Sequence, residues 1–163
     1  MYNCHLSTLL LAVAMFAGWK PGIRIAIIWL IIGLPMWLID AWVTQVLWIA
    51  SVVSHLGGFL LAIYAIRQVR ATGRSWQPAL GWFLFWQMVT RYTTAPELNV
   101  NVSHMPYEFC KEWFTSYWQF WPVGALVAAI MVYAVEYGLG RVYPLNHAAS
   151  AEQTCERQAV GTV

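Results

Sequence analysis

The sequence predicts an all-α fold, a polytopic transmembrane bundle with five spanning helices. Three observations point there. Of the 163 residues, 60% are hydrophobic and only 10% are charged, against about 25% charge in an ordinary soluble domain. So few charges leave a water-facing surface poorly solvated. The eleven Trp residues suit interfacial belts, where an apolar ring with a polar edge is at home. Five apolar stretches separated by turn signals approach the ~20 residues that cross a bilayer.

The first stretch runs from about Leu6 to Trp19 and is short. Lys20-Pro21-Gly22 reads as the turn after it. The second runs from about Ile23 to Ile39, with Pro35 expected to kink it. The third runs from about Val46 to Ile66, and its Gly57-Gly58 pair permits close helix approach. Ala71-Thr72-Gly73-Arg74-Ser75 is the next turn. The fourth segment, about Pro78 to Thr94, opens on a proline that loses little hydrogen bonding there. The fifth runs from about Tyr117 to Leu139, with Pro122 in its first turns. Residues 1–143 thus make the bundle, and 144–163 are expected to be a disordered cytoplasmic tail, rich in Ala, Gln, Glu and Thr without an apolar period. A second reading of the first segment is a cleaved signal peptide, because Ala12-Val13-Ala14 forms a small-residue box. Lys20 and Arg24, directly after it, oppose export.

Charge distribution predicts orientation. Lys20, Arg24, Arg67, Arg70, Arg74, Arg141 and Arg157 fall on one side, and Arg91 and Lys111 on the other. The positive-inside rule then puts the N-terminus outside and the C-terminus in the cytoplasm, in a bacterial cytoplasmic membrane. Asp40, Glu97, Glu108 and Glu112 fall on the outer side. No basic run suggests nucleic acid, so the expected partners are the lipid bilayer and other membrane subunits.

Motifs exclude several classes. There is no phosphate-binding Gly-rich loop, GxSxG or HExxH. Cys4, Cys110 and Cys155 form no CxxC pair. Cys4 and Cys110 fall on the same outer side, where an oxidising compartment would allow pairing. Few charges are expected inside the bundle, which argues against an ion-driven pump.

The candidate polar site is on the outer half. His55 lies about nine residues into the third segment, roughly 13 Å into a ~30 Å core, and Ser51 shares its face. An ionisable residue at such depth is a functional candidate. It is read as interhelical glue, bonded to Gln87 or Ser51, as a heme ligand, metal ligand or proton relay, or as lining of a ligand cavity without chemistry. Gln87 and Arg91 share a face of the fourth segment. Arg91 needs a carboxylate or water, so Asp40, Arg91, Glu97 and His104 are expected to cluster. Leu98 to Val102 alternates polar and apolar, which suggests an extended segment. His104, Glu108 and Glu112, spaced by four, would share one face of a helix and are metal candidates alongside His55. Trp37, Trp42, Trp48, Trp113, Trp118 and Trp121 are expected in the outer belt. Trp82 and Trp86, one turn apart, are read as packing, or else as walls for a flat hydrophobic molecule.

The first functional expectation is a small accessory or binding subunit of a larger membrane complex. The alternatives are a redox protein holding a heme or metal through His55, and a small membrane enzyme or carrier for a lipid-like molecule. Residue types alone name no cofactor.

Overall fold

A computed structural model describes residues 2–45, 48–67, 69, 74–106 and 108–143. The fold is an all-α bundle of five rods, and no strand occurs among the described residues. We number them α1 (Tyr2–Phe16), α2 (Lys20–Thr44), α3 (Ile49–Ile66), α4 (Trp76–Thr93) and α5 (Tyr117–Val142). Three of them, α2, α3 and α5, are long and apolar enough to cross a membrane. Two fall short of that standard. α1 is only 15 residues long, and α4 carries Gln77, Gln87, Thr90 and Arg91 along its 18. The expected tail, Arg70 and most of the 71–75 turn lie outside the described residues.

The first turn falls earlier than expected. Lys20-Pro21-Gly22 is not a turn but the first turn of α2. Proline is at home there, because its missing N–H had no helical partner to lose. The chain reverses instead at Gly18, whose φ is +64°. Trp19 N donates to the Ala14 carbonyl and Gly18 N to that of Met15. These two bonds form the glycine-ended helix cap that meets the last free carbonyls. Trp19 then folds over Gly22, where an added Cβ would meet its ring at 2.2 Å.

α2 is the hub and packs against all four other rods. Its sequence explains this: Ile23 to Leu30 is apolar all round except for one arginine, and a helix without a polar face is buried on every side. Every residue from Gly22 to Leu30 is buried. α1 and α3 dock by small residues. The Cys4 thiol lies where a Cβ on Gly33 would be, and Thr8 lies on Gly58. Thr8 also donates to the Ser54 carbonyl at 3.3 Å. Of the expected glycine pair, only Gly58 serves close approach, and the space beside Gly57 is open. Pro35 lies inside α2, which continues through it to Thr44.

Arg24, counted from sequence among the charges that predict orientation, is 1% exposed. Its Nη2 donates to both carboxylate oxygens of Glu136 at 3.1 Å, and its Nη1 to the Val69 carbonyl at 3.4 Å. Glu136 is 4% exposed. One charged pair therefore lies inside the bundle, where few charges were expected. Both residues lie at the same end of antiparallel rods, where one buried charge requires its opposite.

Candidate functional site

The opposite end carries the chain's polar chemistry. Here α1 begins, α3 begins, and residues 94–116 connect α4 to α5.

His55 is buried, at 3% exposure, inside a π-helical turn, Val53–Gly57, within α3. Such turns insert a residue into the helical ladder and are frequent at functional positions. The ring is held on three sides. Its Nδ1 lies 2.8 Å from the Ser51 carbonyl. A carbonyl only accepts, so Nδ1 is the donor and carries the proton. Trp37 stacks on the ring, with centroids 4.9 Å apart and planes 10° apart, and its Nε1 donates to Ser51 Oγ at 2.9 Å. Trp37 is thus a buried wall of the site rather than part of an interfacial belt. The His5 ring meets His55 edge-on, with centroids 5.2 Å apart. The His55 Nε2 is buried without a hydrogen-bond partner. The expected bond to Ser51 forms; the one to Gln87 does not.

Gln87 belongs to a different task. With Thr90 and Arg91, and with Thr94 just past the helix end, it makes a polar stripe along α4. This stripe gathers the carbonyls of the connecting loop. Gln87 Nε2 donates to those of Asn101 and Val102 at 3.4 and 3.3 Å. Thr90 donates to Val100, and Arg91 Nη1 to Ser103. From α5, Tyr117 adds its hydroxyl to the Val102 carbonyl. The loop is not the expected extended segment. It forms two short 3-10 turns, Pro96–Leu98 and Val100–Val102, with Asn99, Asn101 and Val102 all at positive φ. That backbone turns its carbonyls toward donors already fixed on α4, and satisfying them outweighs the alternating side-chain pattern. Val100, Asn101 and Ser103 are buried as a result.

Arg91 also corrects the expected cluster. Its guanidinium lies over the Tyr117 ring at 4.1 Å and the Trp118 ring at 4.7 Å. Among the described residues it forms no ion pair with Asp40 or Glu97, which are exposed. Aromatic faces and a carbonyl supply the negative potential that a carboxylate was expected to provide. His104 is held by the loop itself: its N–H donates to Asn99 Oδ1 at 3.0 Å, and its Nε2 lies 3.4 Å from Thr94 Oγ1.

The spacing argument for His104, Glu108 and Glu112 also fails. His104 lies before the helical turn, and Glu108–Trp113 is a 3-10 helix. At three residues per turn, positions four apart point about 120° away from each other. Among the described residues no group of three or more His, Cys, Asp or Glu is placed to hold a metal, and the Glu108 side chain lies outside them. No disulfide joins Cys4 and Cys110. Trp82 and Trp86 pack edge to face on each other, 5.6 Å between centroids.

Two features were missed from sequence. His5, near the outer end of the first segment, reads from sequence as a solvated terminal histidine or else as a partner of Asp40 and His104, yet it reaches His55. Glu136 was not singled out at all. An acidic residue on an apolar helix, at the same end as an arginine on another, was a usable signal for the Arg24 pair.

Of nine buried side-chain hydrogen-bonding atoms without partners among the described residues, five lie on α1, α3 and the loop: Asn3 Oδ1, Ser7 Oγ, His55 Nε2, Asn101 Nδ2 and Ser103 Oγ; the others are Trp121 Nε1 near the start of α5, Trp82 Nε1 and Trp86 Nε1 on α4, and Arg24 Nε at the opposite end. Asn3 and Ser7 share a face of α1, which packs against both the π turn and the Val100–Val102 turn. No family model, curated protein or solved structure matches this chain.

Proposed function

We propose that this chain is an integral membrane protein with five crossings that acts as a small binding subunit, holding a ligand at its loop-bearing end. The observation that carries this reading is the set of unpartnered polar atoms on α1, α3 and the loop. Leaving one such atom buried and unpaired costs about 1–3 kcal/mol, and a bound molecule with its own donors and acceptors offsets that cost. The membrane setting is supported by Leu9, Val13, Leu60, Leu61, Phe85, Leu126, Val127 and Ile130, large apolar side chains exposed on four different rods. In water so much exposed apolar surface is unfavourable; against lipid it is the normal outer face. The charge asymmetry supports an orientation with the loop end outside, which we read as the outer side of a bacterial cytoplasmic membrane.

Native mass spectrometry of the full chain released from nanodiscs tests the binding reading. A retained mass is expected that Ser7→Val and Ser103→Ala reduce together. Chains carrying no added mass, with both variants as stable as the parent or more so, would remove it, because deleting an orphaned hydroxyl relieves a penalty.

The free Nε2 of His55 favours a second reading, a redox or metal-binding membrane protein. The visible spectrum of the protein as isolated tests its heme form, through the presence or absence of a Soret band.

A further inference from the structure

We propose that His5 and His55 together bind one divalent transition-metal ion in an open, tetrahedral site. The inference deepens the second reading and rests on His55 being a ligand.

The separation of the two rings fits such a site. A ligating ring nitrogen lies ~2.0–2.1 Å from zinc, which puts the ring centroid ~3.2 Å from the ion; at the tetrahedral angle two such centroids are ~5.2 Å apart. The His5 and His55 centroids are 5.2 Å apart, with planes at 72°. A linear two-coordinate ion, or a heme iron between opposed imidazoles, would separate the centroids by ~6.4 Å on the same bond lengths. The pair is too close for either.

The protonation pattern agrees. Nδ1 of His55 is committed as a donor to the Ser51 carbonyl. This is the outer-shell bond that fixes the tautomer of a ligating histidine and leaves Nε2 as a lone pair. That Nε2 is buried and has no partner. Trp37 holds the ring plane from one face and is itself tied to Ser51. The π turn that carries His55 packs against α1, which carries His5. His5 is exposed, so the remaining coordination positions open toward solvent at the end of the bundle. Cys4 is adjacent in sequence, but its thiol packs on Gly33 of α2. Imidazole suits zinc and copper, and with two neutral ligands the order of affinity is copper above zinc.

The test is calorimetric titration of Zn2+ into the untagged full chain in nanodiscs, repeated with His5→Ala, His55→Gln and, as control, His104→Ala. One ion per chain is expected, unchanged in the control. Each of the other two variants should weaken binding at least about tenfold, since loss of even an outer-shell partner costs that much. Electron paramagnetic resonance of the Cu2+-loaded chain should show coupling to two imidazole nitrogens, reduced to one in His5→Ala. His5 is exposed, so that variant keeps the core intact if His55→Gln does not fold. Absence of submillimolar Zn2+ binding, or binding indifferent to His5→Ala, overturns the pair. Metal that survives His5→Ala but not His55→Gln overturns the pair while leaving His55 a ligand. A Soret band in the isolated protein, retained in His5→Ala, assigns His55 to heme instead.

Discussion

Val102 shows how a single residue takes on strain for the sake of its neighbours. Its φ of 55° lies in the left-handed region, which is unfavourable for a β-branched side chain. The conformation persists because its carbonyl receives both Gln87 and Tyr117. Residues held this way cost about 1–3 kcal/mol each. Val102→Gly should therefore raise the melting temperature in detergent, whereas a loop held mainly by the valine side chain would lose stability. The same docking explains Arg91. Gln87 and Arg91 were legible in the sequence as one polar face, but a polar face does not say which acceptor it meets. Backbone carbonyls leave no mark in a sequence, so the loop's role as acceptor became visible only once folded.

Between elements, the contact of α1 with its neighbours depends on atoms that are missing. A Cβ on Gly58 would meet Thr8 Oγ1 at 2.7 Å and Leu30 at 3.3 Å. Gly58→Ala should destabilise the bundle by about 1–3 kcal/mol, the usual cost of overpacking. Adding Thr8→Ala should recover part of that loss, measured by thermal unfolding. Gly57→Ala, facing open space, should leave the transition in place. If both glycines respond alike, helix propensity rather than docking governs them. Because α1 carries His5, loosening it should also weaken any ligand held against His55.

At the scale of the whole molecule, the Arg24–Glu136 pair ties α2 to α5 at the end remote from the loop. Removing one partner leaves a buried charge and should cost about 3–5 kcal/mol, while replacing both with apolar residues of similar volume is close to neutral or stabilising. Arg24→Met and Glu136→Leu, separately and combined, measured by chemical denaturation in detergent, decide this. A double variant as unstable as either single one would mean that the pair does more than neutralise itself. Burial of Arg24 also removes one charge from the asymmetry on which the proposed orientation rests, though Lys20, Arg67, Arg74 and Arg141 remain at that end. An alkaline phosphatase fusion after Asn101 should be active and one after Val163 inactive. The reverse pattern would invert the proposed orientation.

Composition and apolar run length by themselves determined the helical class and the approximate extent of each rod, because those depend on local hydrogen bonding and on the length of chain without charge. They also marked His55 as buried, since it lies well inside an apolar segment. Which polar groups meet was decided by tertiary structure alone. His5 and His55 are fifty residues apart, and Arg24 and Glu136 more than a hundred. Helical spacing relates positions on one rod but carries no information about the rotation of a second rod against it. That rotation is set by where small residues let backbones approach, at Gly33 and Gly58, and by the requirement that each buried charge find its opposite.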